Sequence, residues 1–329
     1  MLPPMGGLSA GFRETGRGPL RKRNWPGFGG GSTLEPPDLL RPPPFMSIPF
    51  EIEAVEAVFT PLLGDGAFAP DTARYLGEVG QTRPSVVLAF PPKAAGTYLR
   101  SSAIAAVDGQ LVRTVHAQGG RDGTFYLPTF LLYYAAGIPA CPLVTHVHMQ
   151  ALAANRHFME ALDLQPVVMI RALPDMLASY LDELEDQPLR PDKWLNIKVP
   201  DAYPGFSDEQ KGDFIIEMMV PWYVSFFSTW LDYARTDARV LFLYYDEFRA
   251  DPAGVLEKLL AHSRLPRSRA HCQAALDEVW KERTTFRYNK GVSGRGRMRF
   301  TPAQMERLRR MIGYYPDLAP LADRLIPPL

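Results

Sequence analysis

Four short apolar runs, each followed by polar or turn residues, constrain the fold of this chain more than any other feature of its sequence. The segments between the runs show helical spacing of apolar residues, and this alternation predicts an α/β fold. Runs without polar alternation are typical of parallel strands that are covered on both faces, so we expect three layers, with a central parallel sheet between helices. The predicted strands are residues 85–90, 143–147, 166–171 and 239–245.

The first 45 residues differ in composition from the rest of the chain. They contain nine glycines and nine prolines, with six basic and three acidic residues. So much glycine and proline is typical of segments that do not form a core, so we predict a disordered basic arm over 1–45 and one domain over 46–329. A basic linker that contacts a partner is the alternative interpretation of the arm.

Charge and cysteine content exclude several function classes. The 36 basic residues are balanced by 36 acidic ones, which argues against a protein that binds nucleic acid by bulk charge. Two cysteines, Cys141 and Cys272, are too few for a disulfide framework and lack metal-ligand spacing. Prolines interrupt the longest apolar stretch, 125–144, and no signal-like run begins the chain. We therefore expect a cytoplasmic protein with no transmembrane segment and no nucleic-acid partner.

The first predicted strand leads into a loop of small residues that contains Lys93 and Gly96, and a helix follows through Val107. Such a strand, loop and helix N-terminus can hold an anion, because unpaired backbone N–H groups and the helix dipole point at it. In the nucleoside-triphosphate P-loop the lysine follows the last glycine, whereas Lys93 precedes Gly96 by three residues. The sequence therefore predicts a P-loop-like phosphate site of another kind; a tight turn with a surface lysine is the alternative.

Two further elements are suited to bind anions. Arg171 ends the third predicted strand and Ser179 follows on the next helix, a spacing that can hold a second phosphate. Arg171 could instead pair with the acidic run at 182–186, which we expect to form a solvated helical face. Residues 283–299 contain six basic and no acidic residues, and their glycines predict a flexible clamp on a charged ligand, with a nucleic-acid contact as the alternative.

These elements, in this order, resemble the sulfotransferases that use 3′-phosphoadenosine 5′-phosphosulfate (PAPS), over about residues 85–316. Residues 92–99 (PKAAGTYL) resemble the family's 5′-phosphosulfate loop, and Arg171 and Ser179 stand at the spacing of the pair that binds the 3′-phosphate. Residues 245–248 (YDEF) are similar to its Tyr-Glu-Asp-Leu segment. Residues 289–294 (NKGVSG) resemble its Arg-Lys-Gly loop, with asparagine in place of the arginine of the small-molecule branch.

The resemblance implies transfer of the sulfuryl group from PAPS to an acceptor hydroxyl or amine, which leaves adenosine 3′,5′-bisphosphate (PAP) and requires no metal. Positioning and charge stabilisation dominate such transfers, and Lys93 would stabilise the charge that develops on the departing phosphate. The aromatic ring of Tyr98 stands where many members place a tryptophan against adenine. The residues that the resemblance assigns to donor binding are Ala94, Ala95, Gly96, Thr97, Tyr98, Arg171, Ser179, Tyr245, Lys290 and Gly291.

The acceptor must lose a proton, and histidine is the side chain best suited to take it near neutral pH. Thr145-His146 resembles the segment that carries the base in many small-molecule sulfotransferases, so we expect His146 to act, with His148 in reserve. If the strand continues, both histidines share a face. Carbohydrate-directed relatives often use a carboxylate after the first helix, where Asp108 or His116 could substitute. A His-x-His metal pair is the competing interpretation, but no third ligand is evident.

The sequence does not distinguish between acceptor classes, and the alternatives are hydroxylated lipids, secondary metabolites, sugars and protein tyrosine. The aromatic residues of 125–134 and 221–230 could line an acceptor pocket, although a place in the core is the better interpretation. Two other functions remain as alternatives. One is a nucleotide-dependent kinase on the same fold, and the other is a nucleotide-binding regulatory protein without turnover.

Overall fold

The computed structural model describes residues 84–111, 141–186, 197, 199–282 and 293–328. These residues all belong to one compact unit, Pro49–Leu329. The predicted N-terminal arm lies outside the described residues, so the division of the chain into arm and domain stays a prediction. His116, Lys290 and Gly291 also lie outside them.

A five-stranded parallel sheet forms the centre of the unit, with the strand order β2-β3-β1-β4-β5. Every residue of β1 and β3 is buried, as expected for strands that helices cover on both faces. The four predicted strands are all present, with small shifts at their ends, and the two-residue β2 was too short to predict. The strands are β1 Ser85–Ala89, β2 Gln110–Leu111, β3 Leu143–Val147, β4 Gln165–Ile170 and β5 Leu241–Tyr244.

Helices connect and cover the strands, which confirms the predicted α/β fold with its central parallel sheet. Two 3₁₀ turns, Tyr203–Gly205 and Pro316–Leu321, complete the described elements. The helices are α1 Gly96–Val107, α2 Ala153–Ala161, α3 Leu173–Asp186, α4 Asp208–Thr236, α5 Tyr245–Ala250, α6 Pro252–His262, α7 Arg269–Lys281, α8 Gly296–Arg299, α9 Pro302–Gly313 and α10 Ala322–Leu325.

Three helices begin where the sequence places a capping residue. The Ser207 hydroxyl accepts the backbone N–H of the third helical residue of α4, whose side chain accepts the Ser207 N–H in return. Thr301 forms the same reciprocal pair at α9. Asp251 caps α6, with Pro252 at the first helical position. These caps satisfy backbone donors that the first turn of a helix leaves unpaired.

The longest helix, α4, packs into the core. Its aromatic residues Tyr223, Phe226, Phe227 and Trp230 are fully buried, so the interpretation of 221–230 as core is confirmed. Among the described residues, α4 is the one helix long and apolar enough to cross a membrane, with a mean hydropathy of 1.3 over its best window. Half of that window is buried inside the protein, and the core helices of globular proteins meet the same criterion.

Candidate active site

Four of the predicted site residues, Lys93, His146, Arg171 and Tyr245, lie at the carboxyl edge of the sheet. Strands β3, β1, β4 and β5 are parallel neighbours, so the segments that follow them meet at one edge, where ligands bind in open α/β sheets. Lys93 follows β1, Arg171 follows β4 and Tyr245 follows β5. His146 is near the end of β3, in register with Leu88 of β1.

The loop between β1 and α1 has a backbone suited to anions. Lys93 and Ala95 have positive φ values of 66° and 63°, in the left-handed region. Left-handed residues in such a loop aim neighbouring N–H groups at one concave side, and each costs of order 1 kcal/mol in a residue other than glycine. Ala95 is the N-cap of α1 and gives it no side-chain cap, and the first turn contains no acidic residue. The N–H groups that open α1 are therefore suited to an external anion.

Three carbonyl groups of this loop are hydrogen-bonded to side chains from other elements. The bonds run from Nδ1 of His148 to Phe90 O (2.6 Å), from the Tyr223 hydroxyl to Pro92 O (3.0 Å) and from Nη1 of Arg171 to Lys93 O (2.6 Å). A carbonyl oxygen only accepts, so the His148 proton is on Nδ1. These bonds anchor the loop through its acceptors.

The imidazole of His146 lies against Gly96, the first residue of α1. A Cβ atom on Gly96 would overlap Nε2 and Cε1 of this ring, so only glycine fits here without a shift. The ring packs edge-on against Phe90 and His148, with centroids 5.9 Å and 5.2 Å away. His146 is thus buried beside the loop, and the two histidines contact each other, as their spacing predicted.

No third metal ligand joins these histidines within the part of the chain that the structure describes. Groups of three or more His, Cys, Asp or Glu residues that could hold a metal ion are absent there.

Arg171 is a buried cation beside the loop. Its side chain is 8% exposed, and its guanidinium lies over the ring of Tyr245, 4.0 Å from the ring centroid. Burial lowers the pKa of Arg171, and the nearby Tyr245 and Asp175 oppose this effect. Among the described residues its Nε has no hydrogen-bond partner. A buried guanidinium with an unused donor is costly alone and suits an anionic ligand with several oxygens.

The acidic run on α3 is not a solvated face, so that expectation was wrong. Its residues form ion pairs with the loop and with the C-terminal basic segment, namely Glu183 with Lys93 (2.5 Å), Asp182 with Arg295 (2.6 Å) and Glu185 with Arg299 (2.6 Å). The side chains of Lys93 and Glu183 are 15% and 14% exposed. Lys93 is therefore not a surface lysine, and Arg171 does not depend on the acidic run. The partners come from distant segments, which helical spacing cannot reveal.

The described part of the C-terminal basic segment, residues 293–299, packs on α3. The carboxylate of Asp175 accepts the backbone N–H groups of Gly294 (2.8 Å) and Gly296 (2.9 Å). A Cβ atom on Gly296 would overlap the carbonyl of Pro174, so the two backbones approach as closely as glycine permits. The described part of the predicted flexible clamp is therefore anchored to α3. Asp175 is a site residue that the sequence analysis did not single out.

An aromatic cluster stands beside the start of α1. The Tyr98 ring contacts Phe248 and Trp280, with centroid distances of 5.9 Å and 5.6 Å, and its hydroxyl donates to Leu276 O (3.3 Å). Trp280 is 37% exposed. The cluster forms an aromatic surface next to the loop between β1 and α1. Phe248 and Trp280 come from helices far along the chain, so the sequence analysis did not predict their contacts with Tyr98, and it did not single out Trp280 at all.

Ser179 and Asp108 occupy very different positions. Ser179 is buried on α3, two turns from Arg171, on the side of the helix that carries Glu183. Asp108 is exposed and ends α1 with a φ of 48°. The 12 residues of α1 span about 18 Å, so Asp108 lies at the opposite end of the helix from the loop. Asp108 is therefore wrong as a candidate base beside Lys93.

The contact between Gly96 and His146 leads to a prediction about stability. Gly96→Ala should destabilise the protein by about 1–3 kcal/mol, because the new methyl group must displace a buried ring. In the His146→Ala background the same change should have little effect, which urea denaturation of the four proteins would measure as a coupling energy. Equal effects of Gly96→Ala in both backgrounds would contradict the contact.

Comparison with known proteins identifies the fold. No protein-family model matches the chain, and no curated protein matches it in sequence. The crystal structure of mouse sulfotransferase SULT7A1 complexed with PAP is similar, with 14% identity, a TM-score of 0.51 and coverage of 75% of this chain and 91% of that chain. Retinol dehydratase in complex with androsterone and inactive cofactor PAP matches with 12% identity, a TM-score of 0.47 and coverage of 75% and 84%. The likeness to SULT7A1 shows that this chain has a sulfotransferase-like fold.

Proposed function

We propose that the protein is a sulfotransferase that uses PAPS to sulfate a hydroxyl or amine of a small-molecule, carbohydrate or lipid acceptor. The observation that carries the proposal is the bond from buried Arg171 to the carbonyl of Lys93. It joins the anion-binding loop to a second cation whose Nε lacks a partner among the described residues. A nucleotide with separate 5′ and 3′ phosphate groups suits both. The PAP bound to the similar SULT7A1 supports this assignment.

The residues present fit such a donor. In this proposal the backbone N–H groups of 94–98 and the Thr97 hydroxyl bind the 5′-phosphosulfate, because the loop carbonyls are already engaged with the core. Arg171 and Ser179 bind the 3′-phosphate, together with Lys290 and Gly291 from the sequence resemblance. Tyr245 orients the Arg171 guanidinium through their stacking contact. The flat face of Tyr98 and its aromatic neighbours is suited to adenine.

The proposal assigns each catalytic role to a residue in or beside the loop between β1 and α1. PAPS supplies the sulfuryl group and a phosphate leaving group when bound. The Lys93 ammonium, paired with Glu183, provides a positive charge at the loop, where it can stabilise negative charge on a leaving oxygen. His146 takes the proton of the acceptor, since its Nε2 lies beside Gly96 at the start of α1. His148 holds the loop through Phe90 and stays the reserve base.

Calorimetry tests the donor assignment. PAP should bind at least about tenfold more tightly than adenosine 5′-phosphate (AMP), because only PAP has the 3′-phosphate that Arg171 and Ser179 would bind. Ser179→Ala should reduce the affinity for PAP and leave that for AMP nearly unchanged. Equal affinities of the unmodified protein for PAP and AMP would refute the proposal. Phosphate transfer from ATP, with no transfer from PAPS, would favour the kinase alternative.

Lys93→Ala tests the leaving-group role. Turnover with PAPS should fall by about 100-fold or more, as for the loss of other preorganised donors, while PAP affinity should fall much less. Steady-state rates with a phenolic test acceptor, together with PAP titrations, would separate the two effects. Lys93→Arg keeps the positive charge but replaces the compact ammonium by a planar guanidinium, so it should recover PAP binding more than turnover. An undiminished rate in Lys93→Ala would eliminate this role.

The ion pair between Lys93 and Glu183 predicts the effect of removing the carboxylate. Glu183→Gln should increase PAP affinity severalfold, because a negative charge leaves the surroundings of an anionic ligand and the ion pair of Lys93 with Glu183 no longer competes with that ligand. Glu185→Gln is the matched control, since Glu185 pairs with Arg299 and should change PAP affinity less. Weaker PAP binding in Glu183→Gln would show that the carboxylate supports the bound state instead.

A further inference from the structure

We propose that Arg295 is a further residue of the donor site and binds the 3′-phosphate together with Arg171 and Ser179. This inference rests on the proposed function. Arg295 lies in the C-terminal basic segment, far from both residues in sequence, and the resemblance that assigned the other donor-binding residues did not include it. Four features of the structure support the assignment.

The first feature is the position of the Arg295 backbone. The residues on either side of it, Gly294 and Gly296, both donate their N–H groups to the carboxylate of Asp175 on α3. Gly296 also lies directly against the carbonyl of Pro174. Asp175 is four residues after Arg171, so the same short stretch of chain positions both arginines.

The second feature is the direction of the Arg295 side chain. Its guanidinium is 14% exposed and forms an ion pair of 2.6 Å with Asp182. Asp182 is three residues after Ser179 on α3, and residues three apart on a helix are neighbours on its surface. The side chain of Arg295 therefore extends along α3 towards the face that carries Ser179.

The third feature is an electrostatic interaction between the two arginines. Burial is the main cause that lowers the pKa of Arg171, and the positive charge of Arg295 lowers it further. The carboxylates of Asp175 and Asp182 accompany this pair, and an additional anion would offset the remaining repulsion between two cations at a poorly hydrated site. A phosphate monoester, which is close to doubly charged at neutral pH, is an anion of the appropriate charge.

The fourth feature is a set of hydrogen-bond donors that find no partner among the described residues. Arg171 donates through Nη1 to the loop, while its buried Nε has no partner among the described residues. The guanidinium of Arg295 forms an ion pair with Asp182, yet among the described residues its buried Nη2 has no hydrogen-bond partner. A guanidinium donates through a planar fork that matches phosphate oxygens. The carboxylate of Asp175 is already engaged with two backbone N–H groups. A phosphate would complete the hydrogen bonds of both arginines.

The test compares PAP and AMP binding to the full-length protein by isothermal titration calorimetry. Arg295→Ala should weaken PAP binding by about tenfold or more and change AMP binding by less than about twofold, because AMP has no 3′-phosphate. Arg299→Ala is the matched control: Arg299 lies in the same segment and also pairs with an acid of α3, and its loss should leave both affinities nearly unchanged. Loss of PAP and AMP binding to the same extent in Arg295→Ala would overturn the inference, as would no loss of either.

A double variant separates contact with phosphate from neutralisation of Asp182. If Arg295 only shields the phosphate from Asp182, Arg295→Ala/Asp182→Asn should recover the PAP affinity, and the inference would be wrong. If Arg295 binds the phosphate, the double variant should remain weak for PAP. Should Arg295→Ala fail to fold, Arg295→Gln decides by the same PAP and AMP criterion. Equal binding of PAP and AMP by the unmodified protein would refute the proposed function. If the unmodified protein and Arg295→Ala both prefer PAP to AMP to the same extent, only the inference about Arg295 is wrong.

Discussion

The candidate site depends on one hydrogen bond, from the Arg171 guanidinium to the carbonyl of Lys93. It ties the end of β4 to the loop that follows β1, although the two residues are 78 positions apart in the sequence. A charged donor inside the protein requires acceptors, and the loop supplies one while Tyr245 supplies a polarisable surface. The loop conformation, the burial of Arg171 and its stacking on Tyr245 at the start of α5 are therefore one arrangement, and a change in any of them affects the others.

Helix α3 connects the two halves of the site. Its residues at spacings of three and four share one side, and each side chain meets a different segment. Asp175 holds the C-terminal segment, Ser179 is buried between, and Glu183 meets the phosphate loop. Helix α3 therefore contacts both the loop after β1 and the C-terminal segment, and rigid support of this sort preorganises a site.

The sequence alone was sufficient to predict the features that depend on residues close to one another along the chain. Strand positions, the capping boxes at Ser207 and Thr301, and the gathering of Lys93, Arg171 and Tyr245 at one sheet edge all follow from periodicity and parallel topology. Long-range pairing was not accessible, because nothing local indicates which segment packs on a helix face. Glu183 is an example: the sequence analysis placed it on a solvated helical face, whereas it pairs with Lys93 from the loop after β1.

The left-handed backbone of Lys93 limits which residues are suited to this position of the loop. Glycine adopts such a conformation with little strain, whereas lysine does so at a cost of order 1 kcal/mol. At this position the backbone conformation favours glycine, whereas an ammonium group requires lysine. Replacement of Lys93 by glycine would relieve the backbone strain and remove the positive charge together, so local stability and local charge depend on the same residue.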